Sequence, residues 1–442
     1  MKASLSIAAL AASISVVVAQ APTNNLQSCV PAGQYNAAYD YFPEKAVIAD
    51  PTSNIKISYR NSYKIVTNTV SKTSYVLYQC GTPAPANETG HNGTFAVPVS
   101  TIAIADTTSI TYLELLGVRD RIKVSTSTDF TTSPCVQKMQ ADKTLSQLNT
   151  ADPAAGTAMF NSVNMTLGFG DPAAMNSTTY VDFPATTDAG ALHRSQYLLY
   201  LSAFFNRETL GTKLTGDISG SYNCLKDVAA KSAKANGTPR VAWIYQYQGN
   251  YTINSAPYLV EYTNAAGGSV ISNTTKYTDR TAFAQALKDV DVVIDLSLGV
   301  NDMKAFTEAY GGAPVTDQKF FTGGQVWSVG KRVNGLSGYD WFESAVVNEH
   351  IVVADLVSIL QPALLGNKYQ RTYFKNLKEE QTVKLTADQC PNAAAALDLP
   401  TVSCPTEVPT GSGVKANSAM GRINYSQAIV VAAAFVAIIF AM

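Results

Sequence analysis

A long proline-free stretch near the middle of the chain is the feature that most constrains the fold. No proline occurs between Thr187 and Lys234, and apolar residues recur there at helical spacing. Such spacing places apolar side chains on one face of an α-helix. The recurring residues are Leu192, Leu199, Ala203, Leu210, Leu214, Ile218, Tyr222 and Leu225. The stretch predicts one very long helix, or two helices with a break near residues 216–220, which could join two lobes as a rigid spine.

The sequence before this stretch predicts a β-strand, a helix and a second strand. Residues 100–105 form a short apolar run, and residues 106–109 supply side chains that can cap a helix. Apolar residues follow at helical spacing up to Gly117, and a second apolar run begins at Arg121. Because two strands joined by a helix normally lie parallel, a parallel sheet is expected here.

The same alternation resumes after Pro239. Strands are predicted at 240–247, 269–272, 291–297, 325–330 and 350–356, and helices at 256–268, 279–290, 301–312, 340–349 and 356–366. The predicted fold class is α/β, with two Rossmann-like βα lobes joined by a long interdomain α-helix. The predicted segments are a loop at 20–49, a first lobe at 50–186, the spine at 187–234, a second lobe at 235–385 and a disulfide-held tail and stalk at 386–417.

Both ends of the chain read as targeting signals. Residues 1–19 combine Lys2 with an apolar stretch and end on Ala19, as in a secretory signal peptide. Residues 418–442 end in an apolar tail that follows a polar spacer and small residues, the pattern of a glycosylphosphatidylinositol (GPI) anchor signal, with Asn417 as the expected attachment residue. A weak tail anchor is the alternative. We expect a lipoprotein on the outer side of a eukaryotic plasma membrane or in the cell wall.

Glycosylation sequons agree with secretion. Seven Asn-x-Ser/Thr triplets lie in the mature chain, and they predict a glycoprotein with modified surface loops. Their asparagines are Asn87, Asn92, Asn164, Asn176, Asn236, Asn250 and Asn273.

The chain has 6 cysteines, which should pair outside the cell. Closeness in sequence favours Cys390 with Cys404, and leaves Cys29 with Cys80 and Cys135 with Cys224 as the expected remaining pairs. The formal net charge of −1 gives no reason to expect nucleic-acid binding.

Four blocks of the chain resemble the helical-backbone (type III) solute-binding proteins, whose members include receptors for siderophores, corrinoids, haem and metal ions. The blocks are 99–122, the spine segment "HRSQYLLYLSAFFNRE", the strand–helix run 241–300, and "GYDWFESAVVNEHIVVADLVSILQP". The resemblance covers most of residues 45–378. It implies two lobes around one long helix, with a small ligand held between them. The chain departs from the family pattern at Glu349-His350, where Pro-Asp is usual, and at Gln361, where His is usual.

Candidate ligand residues follow from the predicted sheets, because open α/β sheets bind ligands beyond the carboxyl ends of their strands. In the first lobe these are Asp106, Thr107 and Thr108, which are also expected to cap a helix. In the second lobe they are Tyr245, Tyr247, Ser297 and Trp327. Trp243 lies inside its strand and is expected in the core.

The segment "GYDWFES" allows two interpretations. Asp340 and Glu343 have the Asp-x-x-Glu spacing of a capping box at the start of a helix, which is favoured over a pair of catalytic acids. Their neighbours Tyr339 and Trp341 are expected to border the ligand cleft.

Other functional motifs are weak. The histidines are His91, His193 and His350, with His350 expected at the start of a buried strand, and no metal site is predicted. The chain lacks the nucleophile-elbow and metalloprotease motifs, so no catalytic residues are assigned.

The leading functional hypothesis is a GPI-anchored extracellular protein that captures a small ligand of siderophore, haem, corrinoid or metal type without covalent chemistry. It needs no cofactor, contacts the membrane only through its lipid and is expected to be a monomer. The alternative is a surface or cell-wall protein that kept the fold but lost ligand binding. A secreted hydrolase is the third hypothesis.

Overall fold

The structure is a computed structural model. It describes residues 20–125, 129–148, 151–170, 177–271, 274–336 and 338–408. The predicted signal peptide, Asn176, Asn273, Asn417 and the anchor signal lie outside the described residues. No helix within the described ranges is both long enough and apolar enough to span a membrane.

The first lobe contains two sheets. The first sheet is ordered β1-β2-β3-β4, with β1 to β3 antiparallel and β4 parallel to β3. Its strands are β1 (Ile55–Tyr59), β2 (Tyr63–Asn68), β3 (Thr73–Gln79) and β4 (Gly93–Val97). In β2 buried and half-buried residues alternate, as the pleat of a half-buried strand requires.

The second sheet of this lobe is wholly parallel, in the order β7-β6-β5-β8-β9. Its strands are β5 (Ile102–Ile104), β6 (Ile122–Ser125), β7 (Ser146–Gln147), β8 (Met165–Gly168) and β9 (Tyr180–Asp182), and its helices are α1 (Ile110–Leu115), α2 (Pro134–Ala141) and α3 (Pro153–Asn161). The predicted unit of strand, helix and strand is confirmed as β5, α1 and β6. Gly117, with φ +67°, follows the end of α1 in the left-handed conformation that glycine adopts without strain.

The spine consists of three helices: α4 (Ala191–Ser195), α5 (Tyr197–Phe204) and α6 (Glu208–Asn236). Helix α6 has 29 residues and is about 43 Å long at 1.5 Å per residue. Its buried stripe passes from the core of the first lobe, at Leu214 and Ile218, into the core of the second lobe, at Tyr222 and Leu225. One continuous helix therefore contributes to both cores.

Of the two predicted alternatives, the break at residues 216–220 does not occur, since α6 runs through both glycines on its exposed face. The helices separate instead at Asn206, whose φ is +56°. Its carboxamide donates to the Leu26 carbonyl at 2.7 Å and to Gln79 Oε1 at 2.9 Å, and it accepts from Lys64 Nζ at 2.9 Å. These long-range bonds fix a turn that the local sequence does not reveal.

The second lobe is built on a mixed sheet. Its strands and the short ladder beside it are β10 (Arg240–Tyr247), β11 (Asn250–Asn254), β12 (Ser269–Val270), β13 (Thr275–Tyr277), β14 (Val292–Asp295), β15 (Val326–Ser328), β16 (Arg332–Val333), β17 (Lys375–Asn376) and β18 (Val383–Lys384). The main order is β13-β11-β10-β14-β15-β17, β12 pairs with β10, and β16 pairs with β18. The parallel part is β12, β10, β14 and β15.

The helices of this lobe are α7 (Pro257–Ala265), α8 (Arg280–Ala286), α9 (Met303–Tyr310), α10 (Lys319–Thr322) and α11 (Glu349–Leu360), and short 3-10 helices lie at Arg119–Arg121, Ala185–Thr187, Asp340–Phe342 and Ala387–Gln389. Two predictions are wrong here. The predicted strand 350–356 belongs to α11, which is buried on nearly all sides, and a short apolar run does not distinguish a buried strand from a buried helix. The predicted helix 340–349 reduces to the 3-10 turn and irregular backbone.

Two of the three disulfides connect the tail to the body of the molecule. Cys29 pairs with Cys80, as predicted, but Cys135 pairs with Cys390, and Cys224 pairs with Cys404. The predicted pairs Cys390–Cys404 and Cys135–Cys224 are wrong, because the tail crosses from α2 of the first lobe to α6 of the spine. A bond within the tail would have tied it only to itself.

Candidate functional site

The strand order indicates where the ligand crevice of each lobe is expected. In an open α/β sheet, ligands bind beyond the carboxyl ends of the strands, at the point where the strand order reverses. There, one neighbouring strand lies on one side of the first strand and the next lies on the other side. In the first lobe β6 and β7 lie on one side of β5, and β8 and β9 lie on the other. In the second lobe β12 lies on one side of β10, and β14 and β15 lie on the other. The carboxyl ends of β5, β10 and β14 therefore mark the two crevices.

The predicted ligand residues follow these strands directly. Asp106, Thr107 and Thr108 come after β5 and are half-buried. Tyr245 and Tyr247 lie at the end of β10, where they also remain half-buried. Parallel pairing with β14 stops at Ile244, so residues 245–247 extend beyond it as a hairpin with β11. We call Asp106–Thr108 and Tyr245–Tyr247 the rim.

The same turn occurs at both crevices. Asp106 Oδ1 accepts from the Thr108 amide at 2.8 Å, and Asp295 Oδ1 accepts from the Ser297 amide at 2.9 Å. Burial raises the pKa of Asp106 to about 6, with a smaller contribution from the Asp182 carboxylate. Burial likewise raises the pKa of Asp295 to about 7. Each lobe thus carries one aspartate of raised pKa at its crevice.

The hydroxyl of Ser297 is engaged in contacts within the second lobe. Its hydroxyl accepts from the Gln246 amide at 2.9 Å and lies 3.3 Å from the Tyr310 hydroxyl, and the residue is buried. Tyr310 also donates to Asp295 Oδ1 at 3.0 Å. Ser297 therefore positions the rim hairpin, in addition to its predicted contact with ligand.

Three predicted aromatic wall residues are buried in the second lobe: Trp327, Tyr339 and Trp341. The Trp341 ring lies 5.9 Å from that of Trp243, which is in the core as predicted. Tyr339 accepts from the Gly299 amide at 2.8 Å and donates to Asn301 at 3.1 Å. The face of Trp327 is covered by the Arg371 guanidinium, 4.6 Å from the ring centroid. Each of them thus packs against, or bonds to, other residues of the chain.

One region between the lobes is filled by the chain itself. Glu343 Oε2 accepts from the Thr132 amide at 2.8 Å, and its Oε1 accepts from the Ser133 amide at 2.7 Å. Ser133 is the N-cap of α2, in the other lobe. Thr132 also donates its hydroxyl to Asp340 at 2.9 Å, and Asn334 donates to the Asp129 carbonyl at 2.6 Å. We call residues 129–134, 334–336 and 338–343 the latch.

The latch corrects the predicted capping box. Glu343 does cap a helix, but that helix is α2 of the first lobe and not one that begins at Ser344. Burial raises the pKa of Glu343 well above its usual range, and the neighbouring carboxylates of Asp340 and Glu114 add to the shift. Asp340 forms an ion pair with Arg332 at 3.2 Å. These carboxylates hold the lobes together, and none of these contacts points to acid–base chemistry.

The two departures from the family pattern connect α11 to the spine. Glu349 is buried and accepts from the amide of Ser195, the last residue of α4, at 2.5 Å. Gln361 accepts from Ser232 in α6 at 2.7 Å and donates to the Gly237 carbonyl at 3.0 Å. His350, which the sequence placed in a strand, lies in α11 and contacts the Pro400 carbonyl at 2.7 Å through Nε2.

The other two histidines lie in the first lobe and at the start of the spine. His91 Nδ1 lies 2.8 Å from the Ser74 hydroxyl. His193 lies between Asp188, at 3.2 Å, and Asp50, at 3.4 Å, and its pKa is raised, chiefly by the bond to Asp188. Within the described residues no three His, Cys, Asp or Glu side chains converge as metal ligands would.

Comparison with known proteins gives structural neighbours only. No family model matches the chain, and no curated protein matches it. A periplasmic heme-binding protein from Pseudomonas aeruginosa is 12% identical, with TM-score 0.47, over 64% of this chain and 100% of its own. An ABC transporter substrate-binding protein from Listeria monocytogenes is 14% identical, with TM-score 0.42, over 60% of this chain and 99% of its own.

A protein of an Fe3+-hydroxamate transport system from Saccharomonospora viridis is 12% identical, with TM-score 0.44, over 64% of this chain and 97% of its own. The chain has an α/β fold of two lobes joined by a long helix, the architecture of the type III solute-binding proteins that its sequence resembles.

Proposed function

We propose that this chain is an extracellular binding protein that holds a small ligand at the rim, between its lobes, without covalent chemistry. The strand order carries the proposal. Both crevices defined by the sheets coincide with half-buried polar or aromatic residues, Asp106–Thr108 in one lobe and Tyr245–Tyr247 in the other. Half-buried groups at a crevice can still contact a ligand, whereas the latch residues are already bonded to each other.

The proposed ligand is of siderophore, haem, corrinoid or metal-complex type. Tyrosine rings at the rim suit a flat or apolar ligand surface, and the Thr107 and Thr108 hydroxyls beside a helix start suit its polar groups. The latch, the spine and two disulfides to the tail favour binding with little movement of the lobes. A ligand would then enter a site that is largely formed beforehand.

Titration calorimetry tests this proposal on secreted, glycosylated protein covering residues 20–417. The probes are haem, a ferric hydroxamate siderophore, a corrinoid and divalent metal ions. Saturable one-site binding of one probe class is expected, and the absence of binding to all four contradicts the proposal. Native mass spectrometry of protein purified from its own cells provides an independent result, since a retained ligand adds a defined mass.

A second candidate is a surface or cell-wall protein that kept the fold and lost ligand binding. The burial of Trp327, Tyr339 and Trp341 favours it, because these predicted wall residues now pack within the second lobe. It predicts that no probe binds and that no ligand is retained.

We further propose that the protein is GPI-anchored at Asn417 and glycosylated. Asn87, Asn92 and Asn164 are exposed, which supports modification at these sequons. Phosphatidylinositol-specific phospholipase C should release the protein from cells, and the released C-terminal peptide should end at Asn417. Retention at the membrane after this treatment would favour the tail-anchor alternative.

A further inference from the structure

We propose a second binding site, distinct from the rim, in a cavity of the second lobe, where a small organic carboxylate carrying hydroxyl groups would bind. The cavity has a volume of about 400 Å³. It lies between the end of α11, the loop that follows α11 and the backbone after β15 and β17. Its volume falls within the range of roughly 300–1,000 Å³ that is usual for small-molecule pockets.

The cavity contains two cations and one carboxylate. Glu380 bridges the cations: its Oε2 lies 2.7 Å from Lys331 Nζ, and its Oε1 pairs with Arg371. The three side chains are 18%, 21% and 19% exposed for Lys331, Arg371 and Glu380. Two positive charges and one negative charge leave one positive charge without compensation, which matches a monoanion.

The two cations have more hydrogen-bond donors than they have acceptors among the described residues. A guanidinium can donate five hydrogen bonds and an ammonium three. Arg371 donates to Ser358 at 3.3 Å and to Glu380, and Lys331 Nζ donates to Glu380. Arg371 Nε is itself buried, so the donors that remain for a ligand are the further N–H groups of the Arg371 Nη1 and Nη2 atoms and of Lys331 Nζ. An acceptor-rich anion would supply what this cluster lacks.

The site is rigidly constructed. Arg371 lies over the face of Trp327, so its planar group is fixed in orientation. Tyr369 donates to the buried Asp355 at 2.7 Å, and Asp355 also accepts from the Tyr373 amide at 2.6 Å. These bonds hold the loop that carries Arg371 against α11. A fixed guanidinium fork is suited to the two oxygens of a carboxylate.

Neutral polar groups complete the lining. Asn367 and Gln370 are exposed at the cavity, and Ser358 lies beside Arg371. Carboxamides and hydroxyls both donate and accept hydrogen bonds, as recognition of hydroxyl groups requires. The shared ligand chemistry is a carboxylate plus hydroxyls, which both sugar acids and open-chain hydroxy acids provide.

Titration calorimetry of the residue 20–417 protein, with sodium D-galacturonate and sodium D-gluconate as probes, tests the site. Sodium phosphate and sodium chloride at equal ionic strength serve as comparisons. Saturable binding of either organic acid supports the proposal. The acid that binds more tightly shows whether the site prefers a ring or an open chain. Absence of binding by both acids, or stronger binding of phosphate, overturns it.

Substitutions locate the binding. Arg371→Gln and Lys331→Gln should each weaken binding at least tenfold. Lys304→Gln removes an equally positive side chain from the exposed surface of α9 in the same lobe and should leave affinity unchanged. Circular dichroism and thermal melting identify a misfolded variant, and Lys331→Gln keeps the test valid if Arg371→Gln does not fold. Wild-type affinity in a folded Lys331→Gln or Arg371→Gln variant contradicts the assignment.

Discussion

The latch and the rim both contain polar side chains, but they differ in how far those groups are already bonded. At the latch, the Glu343 carboxylate accepts from two amides of the other lobe, and Thr132 donates to Asp340. At the rim, Thr107 and Tyr247 remain half-buried. Residue type alone therefore does not mark a ligand site, because acids and aromatics can equally serve to close the interface.

The latch is reinforced covalently, whereas the rim is not. Cys390, in the tail that follows the second lobe, pairs with Cys135 one residue beyond the latch segment 129–134. Arg119 donates to the Ala393 and Ala395 carbonyls of the same tail, at 2.9 and 2.7 Å. Disruption of the latch should thus cost stability, and changes at the rim should mainly alter binding.

The largest effect is expected for removal of the disulfide beside the latch. The double substitution Cys135→Ser and Cys390→Ser should lower the free energy of unfolding by about 4 kcal/mol, because the bond closes a very long loop in the unfolded chain. Urea denaturation measures this difference. The double substitution Cys29→Ser and Cys80→Ser removes a disulfide between residues 51 positions apart, compared with 255 positions for Cys135 and Cys390. It should therefore lower the free energy of unfolding by about 1 kcal/mol less. An equal or larger loss for that control would contradict the assigned role of the tail.

Substitution of the latch carboxylate comes next. Glu343→Leu leaves the Thr132 and Ser133 amides buried without their acceptor, at a cost of roughly 1–3 kcal/mol for each lost partner. Part of this cost is offset, because the substitution also removes a carboxylate whose ionised form is destabilised by burial. We expect a net loss of about 2–3 kcal/mol, measured by urea denaturation.

Two variants make this result specific to the latch. Glu343→Gln keeps one carbonyl oxygen as an acceptor and should lose less than Glu343→Leu. Thr107→Val, at the rim, should change the free energy of unfolding by less than about 0.5 kcal/mol. If Thr107→Val destabilised the protein as much as Glu343→Leu, the distinction between latch and rim would be wrong.

The order of strands and helices was predictable where the determinants are local. Strand β10 coincides with the predicted segment 240–247, and α1 begins and ends between its predicted cap and Gly117. Apolar alternation and glycine position act over a few residues, so sequence alone shows them. Both crevice turns, at Asp106 and at Asp295, follow strands that the sequence predicted.

The latch was not predictable in this way. Glu343 and its partner Ser133 are separated by 210 positions, and the Asp-x-x-Glu spacing favoured a local cap instead. The break at Asn206 likewise depends on Lys64 and Gln79, which are distant in sequence. Two of the three predicted disulfides were wrong for the same reason, since closeness in sequence did not indicate where the tail crosses the molecule.

At the rim the main expected effect is on binding. Tyr247→Ala should weaken binding of the ligand identified by calorimetry about tenfold, or about 1.4 kcal/mol, because a half-buried ring at the crevice is lost. Among the described residues its hydroxyl accepts a hydrogen bond only from the adjacent Gln248, so stability should change little. Tyr35→Ala, which removes a 37% exposed ring from the N-terminal segment, is the control. Equal losses of affinity in both variants would remove Tyr247 from the site.

The smallest effect concerns the charge of Asp106. Its folded-state pKa, about 6, is raised above the ordinary value of 3.8. A raised pKa means that the folded state binds the proton more tightly than the unfolded chain does. The stabilising contribution is therefore fully present below about pH 4 and is lost as the pH rises through 6. At neutral pH the ionised Asp106 costs stability, and a side chain that cannot ionise avoids this cost.

Asp106→Asn should accordingly raise the free energy of unfolding by about 1 kcal/mol at pH 7.5 and change it little at pH 4.5. The asparagine oxygen can still accept from the Thr108 amide, so the turn at the crevice should persist. Thermal melting at the two pH values measures the difference. Asp217→Asn, on the exposed side of α6, should change stability by less than about 0.5 kcal/mol at either pH. If Asp106→Asn instead destabilised the protein more at pH 7.5 than at pH 4.5, the ionised carboxylate would be structurally required, and the rim would resemble the latch.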